Sequence, residues 1–150
     1  MMEVKKILWP TDLSGNAQKA LPLATSLSRQ FQGEIHLLYV IEELAIHEPW
    51  YGEFDSSHIE KIHEWERRKA EERLEWVCYE YLKSCPLYIK HIAIGDPAEK
   101  ILKLIQKEGI DMVVMAKRGR KGTFSFGSVT EKVVKNSPVP VSVVPTEDKK

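Results

Sequence analysis

The 150-residue sequence has no surplus of charge of either sign: twenty-two lysines and arginines stand against twenty-two aspartates and glutamates. A balanced chain carries no long-range field to gather nucleic acid or an anionic membrane surface, so any anion site has to be local. Long hydrophobic runs are missing as well. The apolar stretch after Lys5 and Lys6 is short, and nothing approaches the roughly eighteen residues of a membrane span. These absences predict a soluble, cytoplasmic protein that binds neither nucleic acid nor membrane.

Cysteine is scarce. Cys78 and Cys85 are seven residues apart in or near one helical stretch, which separates their α-carbons by roughly 10 Å. That exceeds the reach of a disulfide, so both read as free thiols of a reducing compartment, acting as small packing residues. Catalytic signatures are also missing. The five histidines, His36, His47, His58, His63 and His91, show no metal-ligand spacing, and the "HEWER" at His63 lacks the second histidine of a metalloprotease helix. His36 and His91 read as strand residues at the surface. No Gly-x-Ser-x-Gly elbow and no Cys-x-x-Cys pair is present, so candidates for catalysis are poor.

What the sequence does have is an alternation. "VKKILWP" (4–10) is a short apolar strand, and the following segment repeats Ala17, Ala20, Leu21, Ala24 and Leu27 at helical spacing, with Ser14 as N-cap and Gly33 at the C-terminal end. "EIHLLYVIEE" (34–43) is a second strand. A long loop, 42–57, carries Trp50, Tyr51 and Phe54, rings that either meet a partner or pack on their own domain. From about 58 to 84 the stripe Ile59, Ile62, Ala70, Leu74, Val77 and Tyr81 marks an amphipathic helix that Pro86 stops. "LYIKHIAI" (87–94) is the third strand. Asp96, Pro97 and Glu99 together signal a helix start. "IDMVVMA" (110–116) reads as a strand buried on both faces, a helix follows over about 127–136, and "VPVSVVP" is a fifth strand bracketed by prolines. The hydrophobic content of 43% suits one domain over 1–150, with a flexible tail from about 146.

Strands alternating with helices imply a doubly wound α/β fold: a five-stranded parallel sheet with helices on both faces and strand one central. Such sheets bind ligands beyond the carboxyl ends of their strands, where the winding reverses. Two turns there carry chemistry. In "WPTDLS", two readings stand for Asp12: an acceptor for ribose hydroxyls or a base amine, and a helix-entry residue holding backbone amides. In "AKRGRKGTFSFGSVTEKVV" (116–134), "GSVT" opens a helix with free amides, a favourable dipole and hydroxyls, a phosphate cradle or a plain helix start. Lys117, Arg118, Arg120 and Lys121 either flank a phosphate or are simply solvated. The lysine of a P-loop is missing before Ser128, which argues against a P-loop kinase.

The five-unit order, "KKILWPTDLS", "GDPAEKIL" and "VVMAKRGRKGTFSFGSVTEKVVKNSPVPVSVVP" resemble the universal stress protein family along nearly the whole chain. The resemblance implies sheet order 3-2-1-4-5 and ATP, or another adenine nucleotide, between the ends of strands one and four. It implies that Pro10, Thr11 and Asp12 border ribose and base, and that Val40 meets adenine through its backbone. Met115, Gly119, Gly127, Ser128, Val129 and Thr130 would complete the pocket, with Lys117 and Arg120 assisting from outside and magnesium screening the phosphates. The family signature is Gly-x2-Gly-x9-Gly-Ser/Thr. Here Ala116 stands at its first glycine, and seven residues separate Gly119 from Gly127. A left-handed φ at position 116 would cost a β-carbon on the order of 1 kcal/mol. The last strand, 140–144, is apolar and falls at a sheet edge, which points to a homodimer; the family resemblance points the same way. The functional expectation is an ATP-binding, dimeric regulatory or stress-response protein. The alternatives are a non-nucleotide interaction module of the same fold acting through its dimer and the 42–57 loop, and, more weakly, a nucleotide-using enzyme.

Overall fold

The computed structural model describes residues 3–42, 56–82, 87–117 and 127–146. Five parallel strands, β1 (Lys6–Thr11), β2 (Glu34–Ile41), β3 (Tyr88–Ile94), β4 (Met112–Ala116) and β5 (Val141–Val144), form one sheet in the order β3-β2-β1-β4-β5. The expected fold and strand order are therefore present, with β1 central and β4 beside it.

Two cores lie on the two faces, because alternate residues of each strand point opposite ways. On one face Ile7, Trp9, Ile35, Leu37, Val114 and Ala116 pack under helix α2 (Leu21–Phe31) and helix α3 (Ser56–Tyr81). On the other, Leu8, Leu38, Val113 and Met115 pack under α4 (Pro97–Glu108) and α5 (Ser128–Asn136). In α3, Ala70, Leu74 and Val77 are buried as its stripe predicted. Cys78 is buried in the same core, in keeping with a packing role; Cys85, Pro86 and residues 43–55 lie outside the described residues.

The local sequence explains most of the joints. The helix predicted after β1 is two helices, α1 (Gly15–Gln18) and α2, because Pro22 lacks the N–H that would continue the first into the second. Ser14 caps α1 as expected, and the buried Trp9 indole N–H donates to Ala17 O at 3.1 Å. Gly33 does not end α2 in the manner predicted: Gln32 takes the left-handed position, with φ 53°. Gly33 answers a different need, since a Cβ there would stand 2.7 Å from Lys5 O, beside the Glu34 N–H to Lys5 O bond that starts the β1–β2 ladder. At α4, Asp96 accepts from Glu99 N–H at 3.0 Å, Pro97 sits at the helix start, and Gly109 closes the helix with φ 65°.

Two further expectations need correction. His36 is not a surface residue: it is 1% exposed. Its Nε2 meets Glu34 Oε1 at 2.8 Å, its Nδ1 meets His91 Nε2 at 2.9 Å, and the two rings stack with centroids 5.1 Å apart. The surface reading gives way to a polar chain, from half-buried Glu34 through buried His36 to half-buried His91, in which each ring nitrogen of His36 has a partner. Thr146, assigned to the tail, is buried. Among the described residues no helix is long and apolar enough to cross a membrane.

Candidate functional site

The site is built where β1 and β4 part. β1 stays paired with β2 as far as Thr11 opposite Tyr39, and β4 stays paired with β5 as far as Ala116 opposite Val144. Between β1 and β4 the register runs only through Ile7 opposite Met112 and Leu8 opposite Val113. Equal steps onward would set Pro10 opposite Met115 and Thr11 opposite Ala116, and there the ladder has ended. Pro10 has no N–H to contribute to a ladder, so a proline near the end of β1 suits a pairing that stops short of this point.

The turn that leaves β1 is held by its own side chains. Leu13 N–H donates to Thr11 Oγ1 and Ser14 N–H to Asp12 Oδ1, both at 2.9 Å, and Leu13 takes a left-handed φ of 65°. Asp12 is thus seen in its helix-entry reading, holding an amide with one carboxylate oxygen. Thr11 is buried, and Val40 and Met115 lie on the face that α4 and α5 cover.

After β4, Lys117 N–H donates to Val144 O at 2.8 Å and Lys117 O accepts from Gly127 N–H at 3.0 Å. Residues 118–126, which include Gly119 and Arg120, lie outside the described residues; the residues on either side of them are tied by that one bond. Gly127 is the N-cap of α5, with φ −56° and ψ 149°, a conformation open to any residue. Its N–H, expected to face phosphate, is taken by Lys117. Intrahelical bonding starts with Glu131 N–H to Gly127 O at 3.0 Å, so Ser128, Val129 and Thr130 carry the amides that the helix itself leaves without an acceptor. The Thr130 hydroxyl is committed too: it is buried and donates to Ala116 O at 3.0 Å, fastening α5 to the end of β4. Ser128 is exposed at the rim.

Ala116 lies in β4 without a left-handed φ, and its methyl belongs to the core shared with Trp9 and Leu21. The backbone cost considered for a non-glycine residue there does not arise. A cleft of about 450 Å³ opens at this rim between the first turns of α4 and α5, with Glu42, Gly95, Asp96, Ser128, Val129 and Lys132 in its wall. Lys132 carries a cation into that cleft and was missed by motif reading. It stands four residues after Ser128, the spacing that puts two side chains on one helix face, and this was the signal that could have found it. A larger cleft, about 550 Å³ around Lys5, Arg29 and Glu34, lies at the opposite ends of the strands, away from the carboxyl ends where such sheets hold ligands.

The residue pattern that defines the universal stress protein family matches this chain over residues 3–145. The chain belongs to that family. Universal stress protein MJ0577 of Methanocaldococcus jannaschii is 32% identical over 157 residues, covering 93% of this chain and 94% of that protein. A solved structure of MJ0577 matches this universal stress protein with a TM-score of 0.84 at 30% identity, over 99% of this chain and 100% of that one. The universal stress protein from Archaeoglobus fulgidus in complex with dAMP shares the fold, with a TM-score of 0.65 at 18% identity, over 95% and 98% of the two chains.

Proposed function

We propose that the protein binds an adenine nucleotide, ATP with magnesium foremost, at this rim, and acts as a dimeric regulator whose partner contacts follow the bound nucleotide. The observation that carries the reading is that the β1–β4 pairing ends at Leu8 and Val113, short of the strand ends, with the first turn of α5 following β4. The strand ends would take a flat base and ribose along Pro10, Thr11, Asp12 and the backbone of Val40, beside the cleft between α4 and α5. The amides of Ser128, Val129 and Thr130, with the positive end of the α5 dipole, suit phosphate. Lys132 adds a cation on the same side, and Lys117 and Arg120 would assist from outside. Fold relatives are known in complex with dAMP, cAMP and AMP, which supports the adenine class.

Magnesium fits as a companion of the nucleotide. Glu42 and Asp96 in the cleft wall would repel bare phosphates, and a divalent ion held by phosphate oxygens and water removes that conflict. Among the described residues no group of three or more His, Cys, Asp or Glu is placed to hold a metal alone. Titration calorimetry with ATP and magnesium should give one nucleotide per chain with a dissociation constant on the order of micromolar, weakened when the metal is chelated. No heat at millimolar ATP would overturn the reading and favour the interaction module.

A further inference from the structure

The outer face of α3 is not built like the surface of an ordinary covering helix. Trp65 is 58% exposed, Trp76 53% and Tyr79 68%, directly opposite the buried line of Ala70, Leu74 and Val77. At about 100° per residue, positions 76 and 79 fall within about 20° and 40° of position 65, so the three rings form one stripe. Lys69 and Glu72 lie between them, 3.8 Å apart, with the Lys69 ammonium 5.9 Å from the Trp65 ring centroid. Glu75 is paired with Lys90 of β3, which ties the flank of the helix to the sheet and holds the stripe outward.

The stripe is complementary to its own reverse. Turning α3 end for end about a point between Ala70 and Glu71 brings Trp65 level with Trp76, Lys69 level with Glu72, Ile62 with Tyr79 and Lys61 with Glu80. On this face the exposed cations Lys61 and Lys69 belong to the first half and the carboxylates Glu72 and Glu80 to the second, while the exposed Arg68 and Arg73 come level with each other at its margins. We propose that this face is a contact between two copies of the chain, packed as antiparallel α3 helices about a two-fold axis. Such an interface is isologous, so each matched pair occurs twice. A Trp or Tyr side chain carries roughly 150–250 Å². With more than half of each ring exposed, six rings withdraw on the order of 600–900 Å² of surface, against the roughly 1,200 Å² at which specific interfaces begin. The aliphatic stems of Lys61, Arg68 and Lys69 can cover the remainder. This surface is separate from the β5 edge and does not depend on nucleotide.

The experiment uses the full chain with Val143→Lys, which places a charge on the β5 edge and removes pairing there. Sedimentation velocity at about 100 µM protein (far above the micromolar range of weak specific contacts) should show a dimer, and adding Trp76→Glu should give a monomer. Lys69→Glu sets four carboxylates about the axis and Glu72→Lys four ammonium groups, so each alone should weaken association roughly tenfold. Mixing the two variant chains should restore it, because Glu at 69 in one copy then meets Lys at 72 in the other. Only contact between copies gives that rescue, since the Lys69–Glu72 pair within each chain stays broken in the mixture. A monomer with Trp65 and Trp76 intact overturns the proposal, as does an unchanged mass with Trp76→Glu or a mixture no tighter than its components.

Discussion

Single residues at the site divide into those that hold the fold and those left for a ligand, and Ala116 is the clearest case. Its methyl fills core space beside Trp9 and its backbone is ordinary strand. Ala116→Gly, though it restores the family residue, should therefore leave ATP affinity unchanged in calorimetry and cost about 1 kcal/mol of stability in urea unfolding. His91 supplies the pH dependence. Burial holds its pKa below the usual 6.5, the neighbouring His36 and Lys107 push the same way, and Glu108 opposes them. Above pH 6.5 His91 is neutral folded and unfolded, and it contributes no slope. As pH falls below 6.5 the unfolded chain takes up the proton first, so stability is lost until pH passes the depressed folded value. Urea unfolding between pH 7.5 and 5 should show this loss, and His91→Gln should reduce the slope.

At the scale of elements, α5 offers a test that separates fold from ligand. Ser128 is the first helical residue and Gly127 before it has ψ 149°, so Ser128→Pro suits both positions and should leave the melting temperature nearly unchanged. The same change deletes one amide and one hydroxyl facing the cleft. A charge-assisted hydrogen bond is worth about 1.5–3 kcal/mol, so ATP affinity should fall at least tenfold in calorimetry. Unchanged affinity would show that phosphate does not rest on this turn. The elements themselves were legible because period and punctuation agree: Asp96-Pro97 starts α4, and the apolar run 110–116 contains β4. What was not legible depends on neighbours distant in sequence. Gly33 looked like a helix cap and is required by Lys5, while His36 looked solvated and is satisfied by Glu34 and His91. The candidate site was legible as a list of residues through its motif, but the use of the Gly127 amide by Lys117 and of the Thr130 hydroxyl by Ala116 is fixed by tertiary contact alone.

For the whole molecule, the sheet leaves two edges, β3 and β5. β5 is short, with Pro140 before it and Pro145 after it, so it offers only a brief row of backbone groups to a second copy. Light scattering should show self-association, and Val141→Asp, or Val143→Lys should Asp at 141 prevent folding, should remove the share that runs through this edge. An unchanged mass in both would place all association elsewhere. A second outcome for the whole molecule follows from the bond between Gly127 N–H and Lys117 O. That bond joins the residues on either side of the nine residues 118–126, and the entropy of closing a loop between two joined anchors grows only with the logarithm of its length. Gaining or losing two residues there changes that closure cost by about 0.2 kcal/mol. Chain closure therefore does little to hold the length of this stretch fixed over evolutionary time, and what sets that length is to be sought in what the stretch binds rather than in the sheet it leaves.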